Sequence, residues 1–105
     1  MDVELLVVED CPNEGAAATL VRRALDDVGL TRVRFHTTVV RSYEEADRLR
    51  FVGSPTVRID GEDPFTGAGQ QVGLACRVYL SNGHRSGVPD LVRLRQALRR
   101  HAAGD

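Results

Sequence analysis

Two cysteines, one carboxylate and one proline turn hold most of the chemistry that this chain's residue types permit. Cys11 stands between an apolar run, Val3 to Val8, and a helical pattern that begins at Pro12. A thiol at the start of a helix faces backbone N–H groups with no intrahelical partner and the positive end of the helix dipole; both favour the nucleophilic thiolate. Glu14 follows three residues later. Its carboxylate either shuttles a proton near the thiol or accepts the backbone N–H of Cys11 as part of a helix cap. As an anion it opposes the thiolate, as do Glu9 and Asp10 just upstream. Asp10 is a second candidate for tuning protonation. The other thiol, Cys76, sits in Leu74-Ala75-Cys76-Arg77-Val78-Tyr79-Leu80, on the same side of an alternating pattern as Leu74, Val78 and Leu80. That setting predicts a small buried hydrophobe. Arg77 and Tyr79 fall on the opposite side, facing sheet packing or solvent.

The elements that must position these groups are legible from periodicity. Val3 to Val8 is apolar apart from Glu4 and reads as a buried central strand. Ala17, Leu20, Val21, Ala24, Leu25 and Val28 then recur at helical spacing, predicting a helix from about Pro12 to Val28 that stops at Gly29. From Arg32 the pattern alternates, with Val33, Phe35, Thr37 and Val39 on one face of a second strand. Ser42 and Glu45 form a capping-box pattern for a short second helix, which Gly53-Ser54-Pro55 ends. Thr56 to Ile59 is a third strand before the Asp60-Gly61 turn. Glu62 to Gly73 is a long loop, Leu74 to Leu80 a fourth strand, and Pro89 opens a last helix whose buried face is Leu91, Leu94, Ala97 and Leu98. The order β-α-β-α-β-β-α predicts a single α/β domain over residues 1–105, with a four-stranded mixed sheet covered by helices.

Composition narrows the partners. The 105 residues carry a net charge of -1 with 28% charged side chains, so there is no polyanion-binding signal and nucleic acid is not expected as a partner. All 14 basic residues are arginine, a bias that fits high-GC codon usage. No apolar run approaches a bilayer span, so no membrane partner is expected, and the acidic start Met1-Asp2-Val3-Glu4 is unlike a secretory signal. These features point to a cytoplasmic protein, where two cysteines remain thiols. An exposed sheet edge permits a homodimer. His36, His84 and His101 read as surface residues; of the three, His84 comes nearest the Cys11 end by position.

Cys11 at the junction of the first strand with the first helix, and Pro55 between Ser54 and Thr56 at the start of the third strand, together resemble the thioredoxin superfamily. The resemblance spans nearly the whole chain in element order and rests on few specific residues. It implies a thioredoxin-like fold in which a cis Pro55 lies opposite Cys11 and leaves a backbone edge for an extended segment of substrate. The motif here is Cys11-Pro12-Asn13-Glu14, with glutamate where a two-cysteine motif has its resolving thiol. The resemblance therefore implies monothiol chemistry similar to that of monothiol glutaredoxins. Cys11 would be the nucleophile of a thiol oxidoreductase, with Glu14 and Pro55 completing the catalytic set. The substrate would be a thiol or disulfide, either a small molecule or a protein. No resident cofactor or metal is implied; a low-molecular-weight thiol would serve as co-substrate.

Two alternatives stand beside this reading. Cys11 and Cys76 with Glu14 are similar to the two cysteines and acid of organomercurial lyases, which implies a soft-metal site at Cys11 and Cys76 with the acid protonating the leaving carbon. Pairing the fourth strand antiparallel to the third sets Cys76 roughly 13 Å back from the Cys11 end, at ~3.3 Å per residue, beyond a direct disulfide. The other alternative is a non-catalytic thioredoxin-fold interaction domain that uses the long loop and an exposed strand edge.

Overall fold

The computed structural model describes residues 1–67 and 70–104. Its order is β1 (Val3–Val8), α1 (Glu14–Asp27), β2 (Phe35–Val40), α2 (Tyr43–Leu49), β3 (Thr56–Ile59), β4 (Tyr79–Ser81), β5 (His84–Ser86) and α3 (Leu91–Ala103). β1 is central, parallel to β2 and antiparallel to β3, with Leu5 opposite Thr37 and Val57. Alternation of side chains along β1 splits the core in two. Val3, Leu5 and Val7 join Ala17, Val21 and Leu25 of α1 and Leu94, Ala97 and Leu98 of α3; Leu6 turns to the other face with Val40, Ala46 and Phe51. Burial on both faces explains why this strand carries an apolar run rather than a polar alternation. Each fully buried leucine there contributes about 1.5–3 kcal/mol.

The fourth strand is corrected. Among the described residues the main sheet has three strands, and β4 pairs instead with β5 in a separate two-stranded ribbon, turning at Asn82-Gly83. After β3 the antiparallel return stops at one isolated bridge, Ile59 with Glu62. The chain then detours through the loop expected at Glu62 to Gly73, of which residues 68 and 69 lie outside the described residues. The expected helix starts also shift. α1 begins at Glu14 with Asn13 as N-cap, and α3 begins at Leu91 rather than Pro89. No helix among the described residues is long and apolar enough to cross a membrane.

Two of the caps explain where helices begin. Ser42 Oγ accepts the Glu45 N–H at 3.1 Å, while the Glu45 carboxylate reaches back to the Arg41 N–H at 2.8 Å, one residue before the expected cap. At α3, Asp90 accepts the Arg93 N–H at 3.1 Å and the Ser81 hydroxyl at 2.5 Å, tying the ribbon to the helix. The Ser81 bond, followed by that of Arg93, lowers the Asp90 carboxyl from its ordinary value. Asp90→Ala is expected to cost about 1 kcal/mol in urea unfolding near neutral pH. Because the folded carboxyl titrates below its unfolded value of about 3.9, its contribution is present above that pH and lost as pH falls through the folded value. The difference between wild type and variant should therefore shrink in acid.

Candidate functional site

The site begins where β1 ends. Asp10 adopts a left-handed conformation, φ 56°, and turns the chain from Val8 toward α1. Cys11 then accepts the Glu14 N–H on its carbonyl at 3.2 Å, and Asn13 accepts that of Ala17 at 2.9 Å as the first helical bond. Cys11 thus precedes the cap by two residues instead of forming it. Glu14 is the first helical residue, so the reading in which it caps the N–H of Cys11 from the third helical position fails. Cys11 is 8% exposed and belongs to the α1/α3 side of the core. Glu14 is half-buried.

β3 enters the site through Ser54 and Pro55, joined by a cis peptide bond. Ser54 is fully buried, and its Oγ accepts the Val8 N–H at 3.0 Å, which fastens the entrance of β3 to the end of β1. The backbone groups of Ser54 are also used within the chain. Its N–H donates to the Ala75 carbonyl at 3.0 Å, and its carbonyl accepts the Arg77 N–H at 2.9 Å. The backbone edge expected to receive an extended substrate is therefore filled by residues 75–77 of the same chain. Gly53 allows this close approach. Its φ is +128°, and a Cβ there would lie 3.0 Å from Arg77 Cβ and 3.2 Å from the Ala75 oxygen.

This pairing overturns the expected placement of Cys76. Cys76 stands opposite Ser54 in an isolated parallel bridge, so it lies at the Cys11 end of the sheet and not four residues away from it. It is also exposed, while Cys11 is buried, the reverse of the burial expected for Cys76. Both cysteines are free thiols. Cys76 and Asn13, two residues beyond Cys11, line one cavity of about 290 Å³ with Arg77, Val78, Arg85, Ser86 and Gly87. Glu14 is not in that lining. Gly87 packs so closely on Asn13 that a Cβ there would fall 2.4 Å from Asn Nδ2.

Alternation holds from Cys76 to Leu80, but its faces are inverted. Arg77 and Tyr79 point inward, whereas Leu74, Cys76, Val78 and Leu80 are exposed. Arg77, 5% exposed, supplies the reason. Its guanidinium donates to Asp63 Oδ2 at 2.6 Å, Thr56 Oγ1 at 3.1 Å and the Phe65 carbonyl at 2.8 Å, and lies 4.6 Å from the centre of the Tyr79 ring. The Tyr79 hydroxyl donates to the Pro55 carbonyl at 2.5 Å, and burial pushes the pKa of this phenol well above its ordinary value, keeping it protonated. Phe65 meets the Tyr79 ring edge-on at 5.5 Å. Two inward anchors just after Cys76, with the Ala75 carbonyl just before it, thus hold the strap across the Ser54-Pro55 turn.

No protein-family model, curated protein or solved structure matches this chain. Cys76 and Pro55 adjoin Ser54, which is bonded to Val8 three residues before Cys11, and Glu14 stands at the start of α1; Arg77, Asp63 and Tyr79 were not singled out as functional from the sequence. Their only sequence signal was an arginine and a tyrosine sharing one side of an alternating segment. His36 lies near Asp2 and Glu4, and His101 near Asp60, at the opposite end of β1; His84 is exposed. Among the described residues, no group of three or more His, Cys, Asp and Glu side chains is arranged to hold a metal ion.

Proposed function

We propose that this chain is a thioredoxin-like thiol oxidoreductase in which Cys11 is the nucleophile and forms a mixed disulfide during exchange with a disulfide. The observation that carries this reading is the position of Cys11, between the central strand and α1 and three residues after Val8, whose N–H is bonded to Ser54 of the cis Ser54-Pro55 turn. A cysteine attacks a disulfide sulfur in line, so a thiol held at one fixed turn beside a second fixed turn is suited to the step. The occupied edge of Ser54 favours a small disulfide over an extended peptide, since a peptide would have to displace the bonds to Ala75 and Arg77. The co-substrate is then a low-molecular-weight thiol. Hydroxyethyl disulfide added to the folded protein is expected to attach first to Cys11, as a mixed disulfide that is retained wherever no second thiol resolves it, read by mass mapping under non-reducing conditions. Adduct on Cys76 alone would count against this reading.

A second reading is favoured by one observation, the pairing of Cys76 with Ser54. With two thiols at the Cys11 end and Glu14 at the start of α1, the arrangement also suits an organomercurial lyase. Two thiolates would hold the mercury while the carbon–mercury bond breaks and a carboxyl proton passes to the departing carbon. Under this reading, methylmercury yields methane in the presence of the intact protein and none with Cys11→Ser or Cys76→Ser. Absence of methane from the intact protein excludes it.

A further inference from the structure

We infer that Cys76 is the resolving thiol that the Cys11-Pro12-Asn13-Glu14 segment lacks, so that Cys11 and Cys76 form an intrachain disulfide during exchange with a small disulfide. This rests on Cys11 being the nucleophile and adds its partner. The chain touches the Ser54/Cys76 pair on both sides of Cys11: Val8 bonds to Ser54 Oγ three residues before it, and Asn13 shares a cavity with Cys76 two residues after it. Side chains directly opposite in a ladder stand on the same face, so the thiol of Cys76 and the Ser54 side chain are neighbours at this end of the sheet. The segment is also held from below. Arg77 and Tyr79 anchor the backbone on the C-terminal side of Cys76 to Asp63, Thr56 and Pro55, while Ala75 is bonded to Ser54 on the other.

The exchange balances without any group outside the protein and the substrate. The Cys11 thiolate attacks one sulfur of R–S–S–R, and R–S⁻ leaves. The Cys76 thiolate then attacks Cys11 Sγ in the mixed disulfide, the second R–S⁻ leaves, and the Cys11–Cys76 bond forms. Protons from the protein thiols end on the product thiols; the substrate is reduced and the protein pair oxidised by the same electron pair. Exposure of Cys76 serves the return step. A reducing thiol attacks the accessible Cys76 sulfur and frees the Cys11 thiolate. A second molecule of that thiol then attacks the reducing thiol's sulfur in the mixed disulfide on Cys76, releasing the Cys76 thiolate and the disulfide of the reducing thiol.

The test is treatment of the folded wild type and Cys76→Ser with hydroxyethyl disulfide, followed by non-reducing peptide mapping. Wild type is expected to end as a Cys11–Cys76 cross-linked peptide with no retained hydroxyethylthio group, and Cys76→Ser to stall with the group on Cys11. Cys76→Ala is a second variant, with unfolding followed by circular dichroism for both. Wild type stalling with an adduct on Cys11, or single molecules carrying adducts on both cysteines, overturns the pairing while leaving Cys11 as nucleophile. Failure of Cys11 to form any adduct in folded Cys76→Ser and Cys76→Ala overturns the underlying reading as well.

Discussion

Arg77→Ala is expected to lower folding stability by about 3–5 kcal/mol, measured as urea unfolding near neutral pH, because it strands a buried carboxylate. The Asp63 side chain is only 7% exposed and faces the Arg77 guanidinium at 2.6 Å. Its other oxygen accepts the Phe65 N–H, which helps but leaves the charge itself uncompensated. The Phe65 carbonyl and Thr56 hydroxyl lose a donor in the same change. A small domain has about 5–15 kcal/mol in total, so the variant would sit near the edge of folding. Replacing both partners with apolar residues, Arg77→Met with Asp63→Leu, should recover much of the loss, since no buried charge then remains unpaired. A single-variant loss below about 1 kcal/mol would mean that the pair is solvated in solution and does not hold the strap. The functional consequence is separate from stability. Loosening residues 75–77 should speed hydrogen exchange at the Ser54 and Arg77 amides, which bond only across the strap.

Cys11→Ala is expected to reduce thiol-dependent turnover of hydroxyethyl disulfide to the uncatalysed rate. Alanine is the sharper substitution, because serine would bring a hydroxyl into a position that is 8% exposed and packed with the core, costing about 1–3 kcal/mol if it finds no partner. Removing Cys11 leaves Cys76 as the only thiol, exposed and able to form an adduct but with no second sulfur to continue the exchange. Accumulation of a Cys76 adduct without turnover is therefore the expected signature. Undiminished turnover would move the chemistry to Cys76, and undiminished partner binding without any turnover in the wild type would favour an interaction domain.

What could be read from the sequence was set by short-range pattern. The apolar run of β1, the helical spacing of α1 and α3 and the Ser42/Glu45 cap each depend on neighbours within a few residues, and each element is present. So is the position of Cys11 between β1 and α1. The inversion of residues 74–80 was not legible, since period-two alternation gives two faces without saying which is buried. That choice was made by Asp63, 14 residues away, whose carboxylate makes an inward arginine more favourable than an inward Val78 or Leu80. A window over residues 74–80 contains no sign of it. The missing fourth strand has the same origin. Asp60-Gly61 suggests a hairpin, but Arg77 and Tyr79 dock on Thr56 and Pro55 from the far side of the loop, and the segment pairs parallel with Ser54. The helix start erred by two residues because Pro12 suits a first helical position, whereas the turn closed by Cys11 and Glu14 comes first.

The most direct test of Cys11 as the nucleophile sets placement against exposure. The folded protein is treated with a limiting amount of iodoacetamide near neutral pH, and the two cysteines are mapped as labelling proceeds. Exposure alone would make Cys76 react first. The account predicts that Cys11 is labelled first, and faster than in the same chain unfolded in urea. Labelling of Cys76 first, with Cys11 inert until the chain unfolds, would contradict it.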